Sequence, residues 1–270
     1  MQHKSIRIII DNGVFNCRVL GNGDKNIIAF HGFGQDGNAY LPLAKRNAQF
    51  TIYSFDLPFH GNTKINNPSR YNSIDEIQEI IQKLVDQAEL KRFSLLGFSM
   101  GAKFCFPILE KYYTNIDNLW LLAPDGIKTN LWYKIATSNQ ILRAVFRFVM
   151  NNPNMLLRTG RLMKFMSLID TQRMILVEKS INTPEKRHMV FDTWTYLKNL
   201  NWNSSQLKSI INKSNINVFF IVGEHDHVIP KREIEIMNHN ITNSRVITLA
   251  SGHQNLIKKF SEMRLEDLKN

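Results

Sequence analysis

Short apolar runs bounded by Gly, Asn, Asp and Pro recur along most of this chain, and their spacing predicts its elements. Residues 6–10 and 14–20 flank Asp11-Asn12-Gly13, where Asn-Gly supplies the positive φ angles of a tight hairpin turn. A second turn signal, Gly21-Asn22-Gly23-Asp24, leads into 26–30, an apolar run that reads as a buried strand. Runs 51–55, 93–96, 118–122, 218–222 and 245–249 have the same character. Helical patterns lie between them. In the clearest, 73–90, Ile74, Ile77, Ile81, Leu84, Val85 and Ala88 fall on one face, and Ser73 with Glu76 has capping-box spacing. Buried strands alternating with amphipathic helices predict an α/β fold, a mostly parallel sheet with helices on both faces. Residues 126–205 break the alternation. They are helical in pattern, hold no convincing buried strand, and stand between two predicted strands. The expected organisation is therefore a core of 1–125 and 206–270 interrupted by a helical insertion at 126–205.

Composition narrows the class. The 270 residues are 43% hydrophobic and 21% charged, which excludes wholesale disorder and suits one large α/β domain with an insertion. Two cysteines cannot staple a chain of this size, so a disulfide scaffold is excluded. No stretch reaches the roughly 18 apolar residues of a membrane span. The start, MQHKSIRIIIDNG, lacks the apolar core of a signal peptide, so a soluble cytoplasmic protein without stable membrane insertion is expected. The net charge is +11, from 34 Lys+Arg against 23 Asp+Glu. Nucleic acid, a membrane surface or an anionic substrate could each account for it. Its distribution discriminates. Residues 125–208 carry 13 Lys+Arg against 5 Asp+Glu, together with six of the ten methionines.

The sharpest chemical signal is Gly97-Phe98-Ser99-Met100-Gly101, which follows the run 93–96 and opens a helical stretch. A strand, then G-x-S-x-G, then a helix holds a serine on a strained turn with its Oγ exposed. Gly97 and Gly101 are expected because a Cβ would clash where strand and helix pass closely. A serine hydroxyl is a poor nucleophile at neutral pH and needs a base and an orienting acid. Asp226, in Gly223-Glu224-His225-Asp226-His227-Val228-Ile229-Pro230, follows the run 218–222; His253, in Ser251-Gly252-His253, follows 245–249. In a parallel sheet all three residues emerge at one edge. His225 and His227 stand at i and i+2 with no clear third ligand, so no metal is implied. Cys105 reads as a buried structural thiol on the helix after Ser99.

With these residues in place, the sequence resembles the α/β-hydrolase fold superfamily, of the kind that carries a helical cap. Ser99, Asp226 and His253 stand in that superfamily's triad order. His31-Gly32-Phe33-Gly34 resembles its oxyanion loop, and Asp56-Leu57-Pro58-Phe59-His60-Gly61-Asn62-Thr63 its D-x-P-G-H-G-x-S/T segment, with Phe59 in place of the usual Gly. The matches run in order from 31 to 253. The resemblance implies a carboxylesterase-like serine hydrolase without a cofactor. His253 would take the proton of Ser99, Asp226 would orient the imidazole, and the backbone N–H groups of Phe33 and Met100 would bind the oxyanion. Some relatives carry the acid where Asp125 stands, which keeps Asp125 as an alternative. His31, Phe98 and Lys103 are expected to contact substrate.

Two relatives share the layout. The cofactorless lyase of menaquinone biosynthesis has Arg near the position of Lys103, and the carbon–carbon-bond hydrolases have Trp where Gln254 follows His253. A non-catalytic ligand receptor on the same scaffold is the alternative of another class. Residues 126–205 correspond to the cap. Arg143, Arg147, Arg158, Arg161 and Lys164 are interleaved there with Leu, Phe, Val and Met. That pattern reads as a solvated face, or as a greasy roof whose cations meet a small, apolar, anionic substrate. No nucleic-acid-binding motif is present, so nucleic acid is not an expected partner.

Overall fold

The hairpin expected at the N-terminus forms, but its turn is made differently. In the computed structural model, which describes residues 4–70, 74–126, 131–152, 154–155, 157–158, 160, 178–200 and 203–269, β1 (Ser5–Ile10) pairs antiparallel with β2 (Gly13–Leu20). The loop is Asp11-Asn12, and neither it nor Gly13 has positive φ. Gly13 serves close approach instead. It opens β2 opposite Ile65, and a Cβ there would lie 2.3 Å from the Lys64 carbonyl oxygen.

β3 (Lys25–Phe30), β4 (Phe50–Phe55), the short β5 (Lys64–Ile65), β6 (Phe93–Phe98), β7 (Ile116–Leu122), β8 (Asn217–Gly223) and β9 (Ser244–Leu249) complete one sheet. The order is β1-β2-β4-β3-β6-β7-β8-β9, with β5 paired to β2. From β4 to β9 every neighbouring pair along this path is parallel. β4 and β6 are buried along their whole length, as apolar runs in a two-sided parallel sheet should be. β9 departs from the expectation of a buried strand: it is the sheet edge, and its residues are half-buried or exposed. Trp120 on β7 lies in the core between Phe50, edge-on at 6.2 Å, and Phe219, stacked at 6.4 Å.

Helices cover the sheet. α1 (Leu41–Arg46) follows β3, and α2 (Ile74–Gln87) buries Ile77, Ile80, Ile81 and Leu84 against α3 (Ala102–Tyr112) and β1. Ile74, placed on that face by its spacing, is 37% exposed because it stands in the first turn. The capping residue Ser73 lies outside the described residues. α2 stops where Glu89 turns left-handed at φ 51.

The chain divides into two compact units: 1–67, 73–128 and 200–270 form the first, and 68–72 with 129–199 form the second. The second contains α4 (Leu131–Thr137), α5 (Gln140–Asn151) and α6 (Pro184–Tyr196), and no strand among its described residues. Its helix starts are legible in sequence. Asn139 accepts from the Leu142 N–H at 2.9 Å to cap α5, and Thr183, followed by Pro184, caps α6. Phe146 of α5 packs on Phe191 and Trp194 of α6, and the Arg147 guanidinium lies 4.6 Å over the Phe191 ring. Arg161, Lys164, Met163, Met166 and Met174 lie outside the described residues. α7 (Ser204–Asn212), capped by Asn203, belongs to the first unit and packs on α3; α8 (Lys231–Asn238) and α9 (Leu256–Phe260) follow in the same unit. No helix among the described residues is long and apolar enough to cross a membrane.

Candidate active site

β6 ends at Phe98, and the next residue, Ser99, sits at φ 49, a left-handed conformation that L-residues rarely adopt. A 3-10 turn (Ser99–Gly101) then runs into α3. The two glycines of the motif have separate reasons. A Cβ on Gly97 would lie 2.6 Å from the Ala102 Cα and 2.8 Å from the Cys105 Sγ. One on Gly101 would lie 2.2 Å from the Phe30 carbonyl oxygen. The turn therefore closes only against bare backbone, and it lifts the Ser99 side chain above the strand end.

Asp226 and His253 arrive on the loops after β8 and β9, which are stitched together. The Glu224 N–H donates to the Leu249 oxygen at 2.8 Å, and the His225 N–H donates to the Ser251 oxygen at 3.0 Å. The Asp226 carboxylate is fully buried. Its Oδ1 accepts from the N–H groups of Val228 and Ile229 at 2.8 and 2.9 Å, and its Oδ2 accepts from His253 Nδ1 at 2.7 Å. A carboxylate with this donor set acts as an acceptor, so Nδ1 of His253 carries the proton and Nε2 presents its lone pair. Nε2 lies 3.0 Å from the Ser99 Oγ. The ring is backed by Phe98 at a centroid distance of 5.2 Å. The three side chains thus form one hydrogen-bonded line from a buried anion to a serine hydroxyl, the arrangement that can strip a proton from that hydroxyl.

Asp125 occupies a different place. Its N–H donates to the Ser99 carbonyl at 3.1 Å, its Oδ1 accepts from the Gly126 N–H at 2.7 Å, and its Oδ2 meets Lys103 Nζ at 3.2 Å. The carboxylate is held by these groups while His253 bonds Asp226, so Asp125 does not fill the acid position.

The expected substrate contacts are corrected by burial. His31 is 0% exposed, and both ring nitrogens are used: Nδ1 donates to the Gly32 oxygen at 2.7 Å, and Nε2 accepts the Leu57 N–H at 3.1 Å. Burial, with help from neighbouring His60, lowers its pKa to about 3. Phe98 is buried behind the His253 ring. The Lys103 side chain is only 7% exposed, with its ammonium on Asp125. None of the three is presented outward.

Around the two expected oxyanion donors the structure adds Gln35, His60 and Asp56, to which the sequence assigned no role. Phe33 is half-buried, and among the described residues its N–H donates to no protein acceptor; Met100 is in the first turn of the helical segment, where N–H groups lack an intrahelical acceptor. The loop is held by Gln35, whose Oε1 accepts from the Gly32 N–H at 3.0 Å, and by His60, whose Nε2 accepts from the Gly34 N–H at 3.0 Å. Asp56 accepts from the N–H groups of Gly37 and Asn62, from Asn16 Nδ2 and from the Arg18 guanidinium. Burial pushes its pKa up, but these donors outweigh burial and hold the carboxyl below its usual range. The D-x-P-x-H-G segment was the sequence signal for both residues. Phe59, which stands where that segment usually has Gly, adopts φ 65, so the position requires the left-handed backbone that glycine supplies without strain. Cys105 is buried, and its thiol pKa is pushed up by desolvation. Among the described residues no group of three or more His, Cys, Asp or Glu side chains is placed to hold a metal ion.

A family model described as alpha/beta hydrolase fold matches residues 25–260. A strigolactone esterase of Pisum sativum is 32% identical over 96 residues, which cover 33% of this chain and 34% of that protein. Among solved structures, a thermophilic esterase of Thermogutta terrifontis superposes with a TM-score of 0.69 at 16% identity, covering 100% of this chain and 98% of the other. A carboxylesterase of Bacillus subtilis gives 0.65 at 14% identity, covering 100% and 91%. These structural likenesses are likenesses of fold. The chain spans about a third of the length of the curated relatives it matches.

Proposed function

The chain belongs to the alpha/beta hydrolase fold family, and on that premise we propose that it is a serine hydrolase that cleaves a carboxylic ester or thioester through an acyl-enzyme on Ser99. The observation that carries this reading is the unbroken line from Asp226 Oδ2 through the His253 ring to Ser99 Oγ, at 2.7 and 3.0 Å, with the serine on a strained left-handed turn. A protein that only bound a ligand would have no use for that strain or for a buried carboxylate aimed at the imidazole.

The mechanism follows from the geometry. Ser99 Oγ attacks the acyl carbon as its proton passes to His253 Nε2. The buried Asp226 carboxylate holds the Nδ1 proton and stabilises the imidazolium. The oxyanion takes hydrogen bonds from the Phe33 and Met100 amides, where one donor is worth about 3–4 kcal/mol in the transition state. His253 then returns its proton to the leaving oxygen or sulfur, and water attacks the acyl-enzyme with the same imidazole as base. No cofactor or metal enters any step.

Active-site labelling tests the covalent step. A fluorophosphonate should modify the wild type at Ser99, with no adduct on Ser99→Ala, and an ester and thioester panel of varied length and charge should then define the acyl group. An unlabelled wild type that binds but does not turn over the panel would favour the receptor alternative. The lyase alternative draws no support from Lys103, because its ammonium lies on Asp125 instead of being offered to an anionic substrate.

Residues 126–205 are proposed to be the substrate-selecting cap, with a small apolar, anionic molecule as the partner. If the excess of cations there guides anionic substrates, raising ionic strength from about 0.01 to 0.3 M should lower kcat/KM for anionic esters several-fold while leaving neutral esters unchanged. Equal salt responses for the two ester classes would remove the guiding role.

A further inference from the structure

Two loops meet at the ends of the neighbouring parallel strands β3 and β4, one after β3 carrying His31 to Gly34 and one after β4 carrying Leu57 to His60. Their histidines bond in opposite directions across the gap. His31, on the first loop, accepts the Leu57 N–H of the second at Nε2, 3.1 Å. His60, on the second loop, accepts the Gly34 N–H of the first at Nε2, 3.0 Å. Each ring then turns its Nδ1 inward to its own loop, His31 to the Gly32 oxygen at 2.7 Å and His60 to the Pro58 oxygen at 2.8 Å. The rings meet edge to face at 5.3 Å, and Phe33 packs on His60 at 5.3 Å and 85°. Each imidazole thus binds one backbone N–H and one backbone carbonyl, which only the neutral Nδ1–H tautomer can do.

We propose that His31 and His60 form a crossed pair of neutral imidazoles that positions the Phe33 amide for the oxyanion, with His60 as the residue that fixes the loop bearing it. This rests on the serine-hydrolase reading for its consequence and on the hydrogen-bond pattern for its existence. The argument is local. Gly34 is at φ 77, a conformation a glycine leaves easily, and Phe33 lies immediately before it. With its amide tied to His60 and the Phe33 ring set against the same imidazole, the peptide before Gly34 is held from both sides. Gln35 closes the turn from the other end through Gly32.

Neutrality is built in. The titratable and charged groups facing the pair are each other, Asp56 at the end of β4, and Arg18 of β2, which Asp56 and Asp36 hold. Asp56 favours protonation of both rings. Burial opposes it and prevails in each, so both pKa values are lowered, which favours the neutral rings with Nε2 bare. The pair is a positioning device, since neither ring is offered to substrate.

The test compares wild type, His60→Leu and His60→Gln, the glutamine carbonyl falling near the place of the imidazole Nε2. His60→Leu should slow fluorophosphonate labelling of Ser99 and lower kcat for a phenyl ester by about 100-fold, with KM within about three-fold, because a misplaced oxyanion donor acts in the transition state. His60→Gln should recover most of that loss. The Gly34 amide should exchange its hydrogen at least ten-fold faster in the leucine variant than in wild type or His60→Gln. In the wild type alone, long-range 15N–1H spectra at about pH 8 should show both rings protonated on Nδ1 and bare on Nε2. Unchanged labelling and Gly34 exchange in His60→Leu, a glutamine variant no better than leucine when both fold, or the opposite tautomer in the wild type would each overturn the clamp. A wild type that takes no label fails the hydrolase reading instead, and the Gly34 exchange and the tautomers still decide the clamp.

Discussion

Ser99→Ala should lower kcat toward any ester the wild type hydrolyses by at least about 10⁴-fold, the range in which loss of a triad nucleophile falls elsewhere. The reason is local. The side chain supplies the attacking oxygen and the proton that His253 Nε2, 3.0 Å away, would take. Alanine keeps the small Cβ that the turn already accommodates at φ 49, so the elbow should survive. Its melting temperature should stay within a few degrees of wild type, because only one partly exposed hydrogen bond, worth about 1 kcal/mol, disappears. Ester turnover and a thermal melt on the same preparation check both halves. More than about 1% residual kcat in a fully folded variant would refute the covalent mechanism.

The second large effect concerns stability. Asp56→Ala should destabilise the protein by about 3–5 kcal/mol, a fall in Tm of roughly 10 °C for a chain of this length. The Asp56 side chain is fully buried. It accepts from the Gly37 N–H at 2.7 Å, the Asn62 N–H at 2.8 Å, Asn16 Nδ2 at 2.8 Å, and Arg18 Nε and Nη2 at 3.1 and 3.2 Å. Truncation strands these donors on β2 and on the two segments that follow β3 and β4, including the one that carries Gly32–Gly37. Asp56→Asn should lose less, because one oxygen remains an acceptor. The pH dependence has a definite sign. The folded-state pKa lies below the unfolded value near 3.8, so the carboxylate's contribution is fully present at neutral pH and is lost as pH falls through the folded pKa. The stability gap between wild type and Asp56→Asn should therefore narrow below about pH 4. Chemical denaturation at pH 7 and pH 3 measures it; a gap that widens on acidification would be inconsistent with a charged Asp56.

The parts of this architecture that sequence makes legible are those with local causes. Apolar runs such as 93–96 and 118–122 announced β6 and β7, and the glycines around Ser99 announced a close crossing that the Gly97 and Gly101 contacts explain. Asp226 and His253 were legible as loop residues after apolar runs, although more than 120 residues separate them from Ser99. The misreadings share another cause. His31, Phe98 and Lys103 stand next to motif residues, but adjacency along a chain does not say which way a side chain points, and all three turn inward. β9 has the composition of a buried strand, yet its exposure depends on whether another strand pairs beyond it, and among the described residues none does. Gly13 read as a turn glycine because the strand that crowds it, β5, lies about fifty residues downstream. The crossed histidines depend on two loops meeting, which no local pattern encodes.

β7 and β8 lie side by side in the sheet although about ninety residues separate Leu122 from Asn217 along the chain. The polymer physics of such a detour is lenient. Ring-closure entropy grows only with the logarithm of length, about 0.6 kcal/mol for each doubling. Extending a connection of a dozen residues to this one is about three doublings, or roughly 2 kcal/mol. The excursion leaves from one strand and returns to its immediate neighbour, so the part of it before α7 can change while the registers on either side stay as they are. The stretch before α7 can therefore vary in length and sequence at little entropic cost to the strand tips that carry Ser99 and Asp226.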